Sequence, residues 1–365
     1  MMVNIVTSIC VDIDESGKDI NYPMLGKDSN RREIYWRCVT TFCLTSLRFN
    51  HDQKHIVFTN DSDRIIIENF DVKKRLCELG VEIIEHQFDR FDPQNHSHSF
   101  RNAFYKFEVV NLLSNFDSPS ILLDSDCIWT KRDDELFNVL NSGQYLLLQD
   151  TYQRSSFPLK KKPHNLSMED MANLYKTIPV NQYNRDYAVW YGGELIGGTP
   201  EHFKLVGENL SRTLDYCKKQ ENSGNKLLFS NGNSIFDNDE FIGSYVYNSL
   251  TDIEIYDTFG KFSKRMWTLN ALNNVCKKDV DLAIWHLTAE KKKGLKALFY
   301  EITNENSLFW SSNENLAFFL GSFVGIPKRK LSTFDKFFII LNKSRLLTIT
   351  KSLKRVLKFA GERLM

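Results

Sequence analysis

The chain has 365 residues, 42% of them hydrophobic and 25% charged, with a formal net charge of +1. That is enough for one large α/β domain with appendages, and the near-neutral total carries no electrostatic footprint of a nucleic-acid partner. Seven scattered cysteines, none paired at metal-ligand spacing, argue against a disulfide framework or zinc knuckle and for a reducing, cytoplasmic setting.

The opening MMVNIVTSICVD has no basic region ahead of a long apolar core, so no signal peptide is expected. No stretch approaches the roughly 18 apolar residues of a membrane span. Residues 4–11 read as a first strand, 12–32 as a polar loop, and 32–47 as a helix with Ile34, Cys38, Phe42 and Leu47 on one face. Lys54–Thr59 is a second strand ending at Asn60 and Asp61. Residues 72–80 form a short helix closed by Gly80, with Asp71 placed to cap it, and Val81–Glu85 is a third strand. A helix over 100–113 runs into a fourth strand, 120–123, which closes on Asp124-Ser125-Asp126; residues 143–149 make a fifth. This alternation predicts a mostly parallel sheet with helices on both faces, whose ligands sit beyond the carboxyl ends of the strands.

The second half is less regular. Residues 152–185 are largely polar, with Lys160 to Lys162 ahead of Pro163 and a short helix over Met168–Tyr175. Residues 194–198 are strand-like, 201–219 and 237–247 helical, and 280–286 a last strand. From 327 to 365 there are eleven Lys/Arg and two Asp/Glu, a net of +9 that leaves the rest at −8. Within that tail, residues 346–364 mix apolar and basic residues at helical spacing. Such a segment suits docking on an anionic membrane surface, or packing on the body.

Four groups of residues can carry chemistry. Asp124 and Asp126 leave an apolar strand one residue apart and can both turn toward a hard divalent ion, Mg²⁺ or Mn²⁺; the same pair can cap a helix or face solvent. His286 closes the last strand and can join them as a ligand, with Lys291 to Lys293 and Gly294 downstream able to reach a diphosphate. Arg101, Tyr105 and Lys106 project from the helix ahead of the Asp-x-Asp strand, and Asn60 and Asp61 can meet base or ribose. Asp239 and Glu240 at a helix start, and Asp150 at the end of the fifth strand, can serve as a base toward an acceptor, or cap.

In this order the features resemble nucleotide-sugar glycosyltransferases of the GT-A fold, in particular those that build bacterial lipopolysaccharide and capsular polysaccharide, with a motif order similar to glycogenin. The resemblance covers roughly residues 3–295. It implies a GT-A domain over residues 1–300, nucleotide-binding mainly in 1–150 and acceptor-binding mainly in 151–300, followed by a basic helical extension over 301–365. It implies a metal on Asp124, Asp126 and His286, a UDP-sugar donor contacted by Thr7 and Lys293, and a saccharide or glycolipid acceptor. Where the related families continue with Lys-Pro-Trp, this chain has Lys291-Lys292-Lys293-Gly294. The tail would place the enzyme peripherally on the inner face of the cell membrane. A sugar-nucleotide pyrophosphorylase is the alternative enzyme class, and a non-catalytic membrane-associated protein on the same fold is the other.

Overall fold

A computed structural model describes residues 2–11, 25, 30–97, 100–149, 163–251, 253–268, 273–311 and 316–326. Asp150, the three lysines before Pro163 and the basic tail from 327 lie outside the described residues. In chain order the elements are β1 (Asn4–Ile9), α1 (Arg31–Asn50), β2 (Lys54–Thr59), the short pair β3 (Ile66–Ile67) and β4 (Phe70–Asp71), α2 (Val72–Glu78), β5 (Val81–Glu85), α3 (Tyr105–Leu113), β6 (Ser120–Asp124) and β7 (Cys127–Trp129). There follow α4 (Asp134–Asn141), β8 (Tyr145–Gln149), α5 (Met168–Tyr175), β9 (Tyr191–Gly198), α6 (Pro200–Asn222), α7 (Asp239–Ser249), β10 (Ile255–Asp257), β11 (Ser263–Arg265), β12 (Ile284–His286), α8 (Gly294–Ile302), α9 (Leu308–Ser311) and α10 (Leu316–Val324).

Seven strands form the central sheet in the order β10-β8-β9-β6-β1-β2-β5. The pairings are parallel except the two made by β9. Period-two alternation sorts the strand residues onto two cores. Ile5, Val57, Ile121 and Leu123 meet Trp36, Val39 and Phe42 of α1 with Val72 and Leu76 of α2. Val6, Ile56, Phe58 and Leu122 face α3, α6 and α7 on the other side. Both faces are covered, which is why these strands read as continuous apolar runs.

The chain steps outward from β1 through β2 to β5, then returns to the other side of β1 as β6. That reversal opens a crevice beyond the carboxyl ends of β1 and β6. A second sheet, β11-β12-β7, begins where β6 ends. The Ser125-Asp126 turn carries the chain from one sheet to the other, and β12 lies antiparallel to β7 with His286 opposite Cys127. A third core packs Trp285 and Leu287 against Leu298 and Ile302 of α8 and Leu320 and Phe323 of α10.

Several elements differ from the sequence expectation. Phe100 takes a left-handed backbone (φ 59°), so the expected helix over 100–113 opens with a 3₁₀ turn, Arg101–Phe104, before α3. The last strand keeps only Ile284–His286, because Lys277–Asp281 is a 3₁₀ turn tied down by Asp279, which accepts from Cys276 N and Lys264 Nζ. Asp71 stands at the N-cap of α2 without capping it; its carboxylate pairs with Arg64. All seven cysteines are free thiols.

Candidate functional site

The crevice between β1 and β6 is a cleft of about 290 Å³. Ser8, Ile9 and Cys10 enter from the end of β1 and Asp124 to Asp126 from the end of β6. Lys106 comes from α3, Asp239 and Glu240 from the start of α7, Arg265 from β11, and His286 from β12. Tyr35, Phe100, Tyr105, His164 and Trp267 supply its aromatic lining.

Asp124, Asp126 and His286 each direct one ligand atom to a common point, all within 4.8 Å of one another. His286 Nε2 lies 3.2 Å from Asp126 Oδ1 and 3.6 Å from Asp124 Oδ2. The outer carboxylate oxygens are held by lysines: Lys106 Nζ on Asp124 Oδ1 at 2.9 Å, and Lys291 Nζ on Asp126 Oδ2. Each carboxylate is thereby steadied on one oxygen and offers the other inward. Two inward oxygens and one imidazole nitrogen suit a divalent ion of the Mn²⁺ or Zn²⁺ type, or Mg²⁺ if waters fill its remaining positions. With Lys291 and His286 beside it, Asp126 stays ionised far below the usual carboxylate range despite burial. Burial alone would strip the His286 proton, but Asp126 and Glu194 push its pKa up to about 9.

Behind His286 is a buried charge network. Arg265 Nε donates to Glu194 Oε1 at 2.9 Å, and its Nη2 reaches both Glu194 Oε2 and Glu240 Oε1. Glu240 is fully engaged: Oε1 also accepts from Gly193 N at 3.2 Å, and Oε2 from Trp190 Nε1 at 2.7 Å. Burial opposes its charge but Arg265 prevails, so its pKa is lowered. Asp239 has the opposite balance. Its described polar partner is Lys106 Nζ, at 3.4 Å, and that ammonium is shared with Asp124. Burial pushes its pKa from 3.8 up to about 6, with Glu240 and Asp124 adding to the rise. The two glycines of β9 make room for this network. A Cβ on Gly192 would stand 2.1 Å from Glu194 Oε2, and one on Gly193 2.5 Å from Lys106 Nζ. The pairing of β9 with β8 shifts register at Leu147 and Leu148, so this glycine pair sits at a β-bulge.

No family model matches the chain, and no curated protein matches it. Among solved structures, the apo form of the bifunctional glycosyltransferase WbbM superposes with a TM-score of 0.48 at 14% identity over 85% of this chain, which spans 50% of that one. What the cleft can do follows from its own side chains.

The cleft brings together eight of the residues singled out in the sequence: Tyr105, Lys106, Asp124, Asp126, Asp239, Glu240, His286 and Lys291. Others lie elsewhere. Thr7 is buried within the central sheet on β1, its hydroxyl donating to Leu123 O at 2.8 Å. Asn60 bonds both backbone groups of Val11, and Asp61 is held by Arg32 and by Trp36 Nε1. Arg101 pairs with Asp92. Lys293 precedes α8 as its N-cap residue. A Cβ on Gly294 would stand 2.9 Å from Phe323 O, so Gly294 serves the approach of α8 to α10. Of the three consecutive lysines it is Lys291 that turns into the cleft. Glu194 and Arg265 were missed as site residues. The available signal was a charged residue inside the apolar, glycine-rich stretch YGGELIGG, since a carboxylate buried in a sheet needs a cation.

Proposed function

We propose that this protein is a divalent-metal-dependent glycosyltransferase of the GT-A type. It transfers a sugar from a nucleoside diphosphate donor, UDP-sugar being the first choice, to a hydroxyl of a saccharide or glycolipid acceptor. The observation that carries this reading is the convergence of Asp124, Asp126 and His286 beyond the strand ends at the reversal of the sheet. A bound Mn²⁺ or Mg²⁺ would supply positive charge against the diphosphate that departs from the sugar.

The remaining work falls to the chain. Lys106 and Lys291 keep the two aspartates oriented and add positive charge on either side of the ligand set. Asp239 is the acceptor-side base. It is poised near neutrality, where a general base works best, whereas the paired and depressed Glu240 holds Arg265 and Trp190 in place. A carboxylate in that role favours inversion at the anomeric carbon. The half of the chain before residue 150 would meet the nucleotide and the half after it the acceptor. The +9 tail would hold the enzyme against anionic lipid on the inner face of the cell membrane. Among the described residues no helix is long and apolar enough to cross a membrane.

Calorimetric titration with UDP, with and without Mn²⁺, tests the reading. Binding that requires Mn²⁺ supports it, and hydrolysis of a panel of UDP-sugars then identifies the donor. Metal-independent UDP binding, or no binding of UDP, GDP, CMP or dTDP, would overturn it.

A further inference from the structure

The metal reading leaves one fully buried group unexplained. Glu194 is 0% exposed, in the middle of the central sheet. A carboxylate stripped of water costs several kcal/mol unless strongly paired, and an idle carboxylate there would be a liability. Its pairing with Arg265 accounts for its charge. Arg265 grips both of its oxygens, Nε on Oε1 and Nη2 on Oε2, and Oε1 still has a lone pair for a second donor.

Glu194 Oε1 lies 3.4 Å from His286 Nδ1, the ring nitrogen opposite the one that faces Asp124 and Asp126. The contact does not qualify as a hydrogen bond, and among the described residues His286 Nδ1 is a buried polar atom with no hydrogen-bond partner. The backbone brings these groups together from two sheets. Arg265 and His286 are register partners on the parallel strands β11 and β12, so the guanidinium that grips Glu194 stands beside the imidazole. Glu194 lies in the stretch of β9 where the register against β8 shifts, and Gly192 leaves the space its carboxylate occupies.

We propose that Glu194 is the positioning residue of the metal site, and that Arg265 holds it there. On the metal reading above, on which this rests, Glu194 Oε1 accepts a hydrogen bond from Nδ1–H of His286. An imidazole has one proton to place when neutral, and a carboxylate beside Nδ1 fixes it there. The lone pair then sits on Nε2, toward Asp124 and Asp126, and a small turn of the ring closes the Nδ1 contact into a hydrogen bond. Carboxylate–histidine pairs of this kind orient a ligand and raise its basicity, and losing the carboxylate costs roughly 10- to 100-fold in metal affinity. A Glu194 that served only to neutralise Arg265 would have no such effect on the metal.

The experiment is a double-substitution cycle on the full chain, with Mn²⁺ affinity read by calorimetry for the parent, Glu194→Gln, His286→Ala and the combined variant. The expected result is a loss of roughly 10- to 100-fold for Glu194→Gln in the parent, and no further loss once His286 is gone. An equal loss in both backgrounds, or none in the parent, would overturn the inference and leave the metal site standing. A parent that binds no Mn²⁺ would overturn both. Should Glu194→Gln fail to fold, nitrogen NMR of the unmodified protein loaded with diamagnetic Zn²⁺ decides the matter. A protonated Nδ1 and a ligated Nε2 on His286 are expected, and the reverse arrangement would refute the assignment.

Discussion

Replacing Asp239 by Asn should stabilise the metal-free protein while removing the carboxylate assigned to take a proton. Asp239 is 5% exposed, and its pKa rises from 3.8 to about 6. An acid whose folded value lies above its unfolded one resists ionisation in the fold. Below the unfolded value it is protonated in both states and costs nothing; the cost grows as pH rises and is complete above the folded value. The gap of about two pH units corresponds to about 3 kcal/mol. The gain for Asp239→Asn is therefore about 3 kcal/mol at about pH 8, falling to about 1 kcal/mol at about pH 4.5. Lys106 keeps Asp124 as its partner in the variant, so no buried cation is orphaned. Urea unfolding in the presence of a chelator measures both values. No gain at the higher pH, or the same gain at both, would refute the reasoning.

Mn²⁺ affinity should rise about tenfold per pH unit up to about pH 9 and then level, because a ligating imidazole must first lose the proton that His286 holds up to about 9; calorimetry in buffers of different ionisation heat should show about one proton released per ion, and a flat profile would contradict it. Asp126→Asn should abolish metal binding and cost about 3–5 kcal/mol in stability by leaving Lys291 buried without its anion, and the added change Lys291→Met should restore most of the stability but none of the binding. Gly294→Ala should destabilise by about 1–3 kcal/mol, since its Cβ would push α10 off α8, with UDP binding unchanged in the folded fraction; weakened binding would return Gly294 to the ligand site. Removing residues 346–365 should reduce sedimentation with anionic vesicles and leave UDP binding intact.

The parts of the site legible in the sequence share one property: they sit where a long apolar run stops. Asp124 and Asp126 end the run ILL, and Asp239 and Glu240 open an apolar helix, so burial patterning alone marks them as side chains at an edge. Asn60 and Asp61 share that property but bond backbone and neighbouring side chains, a local use of short polar residues that competes with any ligand. Arg265 lies in a strand of three residues, Ser263–Arg265, too short to show a period, and β7 and β10 are equally short. In Lys291-Lys292-Lys293 composition cannot choose among the three; the 3₁₀ turn Thr288–Glu290 fixes which one turns inward.

The antiparallel pairing of β7 with β12 has a consequence for how the protein comes to exist. It sets Cys127 opposite His286, joining the turn that carries Asp126 to a strand near the far end of the described chain. Contacts between segments so distant in sequence form late, after the loop between them has been closed. A nascent chain emerging from the ribosome would hold two aspartates of the ligand set long before the third member appears. Tight coordination then becomes a certificate of completed folding, and the ion, by favouring the finished state alone, would deepen the native basin without accelerating the path into it.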